Sequence, residues 1–333
     1  MILHPAILTL VFVSLLTTGM ILYSAFFGYR ILRCWDIRSG SEEQLALERR
    51  TYLLSTLVSH VLVFQIGSLF LYIYTADILH VLFVGAMCAA GTLNVNAFGY
   101  PAFLLKLLNC IVAGLWLILN HADNQAHDYP LIRKKYALLI LMAPLIAAEA
   151  YLQTRFFLGL EGDVITSCCG SLFSAENPGI SGDLVYAPPA VSMAVLAVFM
   201  ALTFGTGLLY RLRGQAGPWF SLFSGLTFIV SCVSLISFIS VYFYELPTHH
   251  CPFCILQAEY GYVGYLLYAA LLAGVVCGLG VGLLMPFRGI PSLARRLPEI
   301  QQQLALAGLV SYGLFAGVSL YGVLATDFTL GLL

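Results

Sequence analysis

The chain has 333 residues, of which 60% are hydrophobic and only 9% are charged, and its formal net charge at pH 7 is -1. This composition excludes an ordinary soluble domain and a basic nucleic-acid-binding surface, and it predicts a polytopic membrane protein embedded in a lipid bilayer. Backbone polar groups in hydrocarbon must be satisfied within their own segment, so the long apolar runs are expected to be helices.

Eight apolar runs reach the ~20 residues that a helix needs to span a bilayer. In chain order they cover residues 6–29, 52–75, 92–119, 137–157, 187–210, 218–244, 256–286 and 304–326. The sequence therefore predicts an all-α protein with about eight transmembrane helices.

Basic residues are concentrated in the connections after the first, third, fifth and seventh predicted helices. Only Lys106 and Arg155 fall elsewhere. Short cytoplasmic loops carry the Lys and Arg excess, so we expect these connections inside and both termini outside, most simply in a bacterial inner membrane. The cysteines that then map to the outer face, where disulfides persist, are Cys88, Cys168, Cys169, Cys251 and Cys254.

A faint internal duplication relates the two halves of the chain. Residues 29–33 (YRILR) close the first predicted helix much as residues 210–213 (YRLR) close the fifth, and segment 88–96 parallels segment 251–259. In this alignment Cys88 corresponds to Cys251. The pattern favours two parallel four-helix repeats, and chance similarity between apolar helices remains the alternative.

The repeats define three predicted regions. Residues 1–157 form the first four-helix repeat, residues 158–186 an outer loop, and residues 187–333 the second repeat. The loop carries the adjacent pair Cys168 and Cys169. Neighbouring cysteines are poorly placed to bond each other, so one or both are expected to pair elsewhere.

The second repeat contains a Cys-Pro-Phe-Cys motif at Cys251 and Cys254, preceded by His249 and His250. A helix beginning near Pro252 would place its positive end at Cys251 and stabilise a thiolate there, and protonated histidines would add to this effect. We therefore predict Cys251 as an acidic, accessible attacking thiol and Cys254 as its partner one turn deeper. The alternative is a permanent structural disulfide.

Residues 245–287, with a Cys-x-x-Cys at the outer start of a predicted membrane helix, resemble the membrane thiol oxidases of the DsbB and vitamin K epoxide reductase-like families. The resemblance implies that electrons pass from a soluble periplasmic thiol protein, through a loop cysteine, to the motif and then to a quinone. Cys251 and Cys254 match the quinone-proximal pair, and Cys168 or Cys169 matches the loop shuttle. Segment 255–259 lacks the Arg that follows the motif in DsbB-like proteins.

Polar residues within or beside the predicted helices are candidates for a cofactor site, because burying them in a membrane is costly. Gln257 and Glu259 follow the motif, and Lys106 lies inside the third predicted helix. At a rise of about 1.5 Å per residue, Lys106 and Glu149 fall at similar depth on neighbouring helices and are expected to pair. A buried ion pair that only sets helix register is the alternative.

Three functions are compatible with this pattern. The first is a membrane thiol–disulfide oxidoreductase that relays electrons between outer-face thiols and a membrane acceptor. The second is a protein that binds or transports a soft metal, copper or mercury, through His249, His250, Cys251 and Cys254, because sulfur ligands select such ions. The third is a non-catalytic integral subunit of a larger membrane complex.

Overall fold

The computed structural model describes residues 3–37, 39–162, 164–166, 188–326 and 328. Within these ranges the chain is built from helices and short turns, and eight helices are long and apolar enough to cross a membrane. The predicted all-α polytopic class is confirmed. The helices are α1 Pro5–Cys34, α2 Glu42–Leu79, α3 Ala89–Leu93, α4 Gly99–Asp123, α5 Ile132–Leu158, α6 Pro189–Arg213, α7 Gly217–Tyr244, α8 Val263–Leu284 and α9 Arg296–Leu324.

Local sequence signals set several helix ends. Proline occupies the first turn of α1, α6 and α7, where its missing N–H costs nothing. Helix α6 ends at Gly214, which adopts the left-handed conformation with φ 68°. These ends explain why the α1, α6 and α7 spans begin close to their predicted positions.

Helices α2 and α9 begin ten and eight residues earlier than predicted, at Glu42 and Arg296, and two other predicted helices begin later than expected. The helix predicted from residue 92 is a short helix, α3, followed by turns before α4 begins at Gly99. The helix predicted from residue 256 begins only at Val263, because Gly261 and Tyr262 take positive φ values of 63° and 57° and interrupt the helical backbone. A positive φ is rare for a residue other than glycine, so the sequence gives no indication that Tyr262 interrupts the helix.

The residues group into two compact units that do not follow chain order. The first unit comprises Met1–Thr75, Asn96–Leu160 and Pro286–Ile300, and the second comprises Ala76–Val95, Glu161–Met285 and Gln301–Leu333. The relation of the two four-helix groups as repeats, and the region boundaries based on it, stay predictions.

In the first unit α5 packs against both α1 and α4. Gly28 on α1 permits close approach, because a Cβ there would lie 2.8 Å from Cδ1 of Tyr136 on α5. The indole N–H of Trp116 on α4 donates a 2.9 Å hydrogen bond to the carbonyl of Lys135. Trp116 and Tyr136 belong to the buried hydrophobic cluster at the core of the unit.

In the second unit α7 packs against α6 and α8. A Cβ at Gly278 on α8 would overlap the Ser224 hydroxyl of α7, so only glycine allows this approach. Helix α7 contains one π-helical turn at Leu235–Ile239. Such turns change the direction of backbone groups and often occur at functional sites.

Candidate thiol site

The Cys-Pro-Phe-Cys motif lies in the connection between α7 and α8, not at a helix start. Helix α7 is closed by Glu245 in the left-handed conformation, Cys254–Leu256 forms one 3₁₀ turn, and Ala258–Tyr260 forms another before α8. The predicted helix beginning near Pro252 is therefore wrong. The stabilisation of a Cys251 thiolate by a helix terminus loses its basis.

Three cysteines meet at this connection. The sulfur atoms of Cys88, Cys251 and Cys254 all lie within 4.8 Å of one another, and the Sγ atoms of Cys88 and Cys251 are 3.5 Å apart. All three side chains are buried. We call these three residues the thiol site. None of the cysteines in the described part of the chain is in a disulfide.

Cys251 is a protonated thiol at neutral pH. Its exposure is 0%, and its pKa is raised well above the ordinary thiol value, chiefly by its hydrogen bond with Cys254, with burial adding to the effect against the lowering influence of Cys88. The prediction that Cys251 is acidic and accessible is wrong. Cys254 is no deeper than Cys251, since its exposure is 4%.

His249 does not supply the predicted positive charge. Burial, and then the neighbouring His250, lower the pKa of the His249 imidazole, so it is neutral at pH 7. The His249 ring packs edge-on against Tyr244 at 4.7 Å between ring centroids. His250 is buried, and its Nδ1 lies 3.0 Å from the carbonyl oxygen of Ile236 in the π turn. A carbonyl only accepts, so Nδ1 carries the proton.

Two tyrosines hold the backbone of the motif. The Tyr244 hydroxyl donates to the Cys251 carbonyl at 2.6 Å and accepts from the N–H of Ile255 at 2.7 Å. The Tyr268 hydroxyl donates to the Pro252 carbonyl. Each bond satisfies a backbone group in a segment that has no long helix or strand to pair it. The motif is thus fixed in shape although it belongs to a loop.

Cys88 is held by a pair of side chains that also contact the motif connection. Oδ1 of Asp77, near the end of α2, accepts from the N–H of Ala89 at 3.1 Å and from Nε2 of Gln257 at 3.2 Å. Gln257 Nε2 also donates to the Met87 carbonyl at 2.8 Å. We call Asp77 and Gln257 the clamp. It ties the residues on both sides of Cys88 to the chain three residues beyond Cys254.

The remaining predicted site residues are distributed differently. Gln257 belongs to the clamp, and Glu259 is exposed. Lys106 lies in the first unit, where its ammonium is 2.6 Å from Oε1 of Glu149, so the predicted pairing of these two residues is confirmed. Cys168 and Cys169 lie outside the described residues.

Cys88 and Asp77 were not predicted as site residues. The signal for Cys88 was present in the alignment of segment 88–96 with segment 251–259. That alignment indicated that Cys88 is a remnant of a second motif, and not that its side chain contacts Cys251. Nothing in the sequence around Asp77 distinguishes it from other residues at helix ends, because its role depends on residues twelve and 180 positions away.

No protein-family model, no curated protein and no solved structure matches this chain.

Proposed function

We propose that this protein is a membrane thiol–disulfide oxidoreductase whose reacting pair is Cys251 and Cys254. A soluble protein dithiol would reduce the Cys251–Cys254 disulfide and become a disulfide itself. The reduced pair would then pass two electrons and two protons to a lipid-soluble acceptor of the quinone class. The observation that carries the proposal is the close placement of the thiol-site sulfur atoms, within 4.8 Å of one another.

The absence of charge on both the reduced and the oxidised form of the cysteine pair supports this assignment. A dithiol and a disulfide are both uncharged, so the pair can cycle in a buried site without leaving an unpaired charge there. Burial also shields a Cys251–Cys254 disulfide from small soluble reductants. Exchange then depends on a protein thiol that is delivered to the site.

The position of Thr166 supports a role for the outer loop. Its N–H donates to the Val84 carbonyl at 2.9 Å, and its hydroxyl donates to the Gly91 carbonyl at 3.0 Å. Both partners lie within four residues of Cys88. Cys168 follows Thr166 by two residues in the sequence, so we propose Cys168 or Cys169 as the shuttle between the soluble partner and the thiol site.

The test is a trapping experiment in membranes. Thiol exchange proceeds through a mixed disulfide that the second cysteine resolves. We expect Cys254→Ser to accumulate a disulfide-linked species through Cys251, and Cys251→Ser to lack it. The matched control is Cys277→Ser, which removes a half-buried thiol of α8. If the wild-type pair stays in one redox state under both a quinone and a reduced protein dithiol such as thioredoxin, the proposal is wrong.

The outer-face orientation belongs to the same proposal and has its own test. Thr248 is exposed in the motif connection, and Cys34 is exposed at the end of α1. An impermeant thiol reagent added to the outer face of intact cells should label Thr248→Cys and spare Cys34. The opposite pattern would place the thiol site on the inner face and contradict a periplasmic thiol partner.

A soft-metal site is the second candidate, and the presence of a third sulfur favours it. A metal–sulfur bond of about 2.3 Å places three ligand atoms about 4 Å apart around a three-coordinate ion, which is close to the spacing of these thiols. The ligand set would be Cys88, Cys251 and Cys254 rather than the predicted motif with both histidines. Cu(I) titration of anaerobically reduced protein distinguishes the candidates. A metal site predicts one tightly held ion that is lost equally on substituting any of the three cysteines.

A further inference from the structure

We infer that Cys88 is a third exchanging thiol, which takes the disulfide from Cys251 and Cys254 by bonding to Cys251, and that the clamp positions it for this step. The inference rests on the proposed function, because it presupposes that the Cys251–Cys254 pair is oxidised and reduced. It adds a reacting residue that lies 163 positions away in the sequence.

The arrangement of the sulfur atoms supports the inference. The Sγ of Cys251 is in hydrogen-bond contact with the Sγ of Cys88 at 3.5 Å and also interacts with the thiol of Cys254. A disulfide bond is about 2.05 Å long, so either pairing needs only a small side-chain movement. Cys251 is thus the sulfur that both neighbours can reach.

The exchange step is balanced without an external oxidant. The Cys88 thiolate attacks Sγ of Cys251 in the Cys251–Cys254 disulfide. The Cys88–Cys251 bond forms and the Cys251–Cys254 bond breaks. Cys254 leaves as a thiolate and takes the proton that Cys88 has lost, so no electrons are gained or lost overall. The result is a protonated Cys254 thiol and a disulfide that joins the two segments of the site.

The clamp gives the step its geometric basis. Asp77 accepts hydrogen bonds from Ala89, the residue after Cys88, and from Gln257, three residues after Cys254. Gln257 in turn donates to the carbonyl of Met87, the residue before Cys88. The backbone on both sides of Cys88 is therefore fixed to the motif connection. Asp77 and Gln257 touch no sulfur in this scheme and act as positioning residues.

The first experiment maps disulfides in full-length protein in detergent, in a Cys168→Ser/Cys169→Ser background that removes the loop thiols. After oxidation with a water-soluble quinone, we expect added Cys254→Ser to yield a Cys88–Cys251 disulfide, identified by mass spectrometry of unreduced peptides. Adding Cys88→Ser should abolish this species, and adding Cys277→Ser should leave it unchanged. The inference is wrong if Cys251 of the Cys254→Ser variant stays a thiol or pairs with another residue. The proposed function still stands in that case, provided that the background protein, which keeps Cys254, forms the Cys251–Cys254 disulfide. If neither disulfide forms, both are wrong.

The second experiment tests the clamp. Asp77→Asn keeps an oxygen that accepts from Ala89 and Gln257, whereas Asp77→Ala removes it. In the trapping background we expect Asp77→Ala to lower the rate of Cys88–Cys251 formation about tenfold, because it removes the acceptor of the hydrogen bonds from Ala89 and Gln257. Asp77→Asn should restore most of the rate. Equal rates for the alanine variant and the unsubstituted background would overturn the positioning role.

Discussion

Two buried polar clusters of this protein differ in what they can do. In the first unit, Glu149 accepts hydrogen bonds of 2.6 Å from Lys106, Gln65 and Asn109, and Lys106 also donates to Ser68 at 3.0 Å. In the second unit, the thiol site consists of three buried cysteine side chains. The ionic cluster is stable only while both charges persist, because either charge alone would be buried without compensation. The thiol site can change its covalent state between a dithiol and a disulfide, both of which are uncharged.

A buried ion pair and a buried set of thiols differ in the chemistry that they permit. The carboxylate of Glu149 and the ammonium of Lys106 are held by surrounding donors and acceptors, and the exposed fraction of each side chain is 1%. Such a cluster is suited to fixing the register of α2, α4 and α5. The motif connection is instead fixed through its backbone, by Tyr244 and Tyr268, which leaves the sulfur atoms available for exchange.

The largest effect is expected from breaking the ionic cluster. Glu149→Gln removes the negative charge and leaves the Lys106 ammonium buried, so we expect a loss of about 3–5 kcal/mol in the free energy of unfolding. Thermal unfolding in detergent measures this loss. The paired variant Lys106→Met/Glu149→Gln should recover part of it, while oxidation of the thiol site should be unchanged in both. A fully stable Glu149→Gln protein would contradict a purely structural role for the pair.

A comparable loss is expected where the backbone of the motif is held. Tyr244→Phe leaves the Cys251 carbonyl and the Ile255 N–H without their partner, and each unsatisfied buried group costs about 1–3 kcal/mol. The fraction of Cys251–Cys254 disulfide at a fixed quinone concentration should fall together with stability. Tyr262→Phe, at a residue that is 53% exposed, is the control. Unchanged disulfide formation in Tyr244→Phe would show that the hydroxyl does not support the site.

Packing beside the motif gives a third test. A Cβ at Gly264 would lie 2.7 Å from Cγ2 and 2.9 Å from the carbonyl oxygen of Ile255, the residue after Cys254. We expect Gly264→Ala to cost about 1–3 kcal/mol and to slow disulfide formation, because the backbone at Ile255 must move. Gly205→Ala on α6 is the matched control, since a Cβ at this position would have no neighbouring atom within 4 Å. Disulfide formation at the wild-type rate in Gly264→Ala would show that the packing at Ile255 does not influence the reactivity of the thiol site.

The smallest effect is a pH dependence. The native Cys251 thiol keeps its proton at pH values where the unfolded chain loses it, because its pKa is raised chiefly by its hydrogen bond with Cys254. Its contribution to stability is therefore fully present below the unfolded pKa of about 8.5 and is lost as the pH rises through the native pKa. Urea unfolding of reduced protein between pH 7 and pH 10 should show this decline, and Cys251→Ser should reduce it. A stability that rises with pH in this window would contradict a protonated native thiol.

The raised pKa of the Cys251 thiol also determines how fast this residue is alkylated. Since only the thiolate reacts, modification of Cys251 at pH 7 should be at least about tenfold slower in native protein than in unfolded protein, and it should accelerate with pH. Cys34, which is exposed at the end of α1, provides an internal control for reagent quality. Rapid native labelling of Cys251 at pH 7 would mean that the site opens.

The amino-acid sequence by itself determined the class of the protein and the number of its spans. Apolar runs of sufficient length have few structural solutions in a bilayer, so the eight long apolar helices in the described part of the chain follow from the hydropathy pattern. The Lys106–Glu149 pair was also predictable, because helix rise converts sequence position into depth. Both predictions rest on properties that are local along the chain.

Only the tertiary structure decided the composition and the character of the thiol site. The left-handed backbone at Tyr262 delays α8, so the motif lies in a loop and receives no charge stabilisation from a helix start. Cys88 approaches Cys251 across 163 positions of sequence, and Asp77 and Gln257 hydrogen-bond to each other and to the backbone beside Cys88. The hydrogen bond with Cys254, together with burial, then reverses the expected acidity of Cys251, because the pKa of a thiol depends on everything that surrounds it in space and not only on its sequence neighbours.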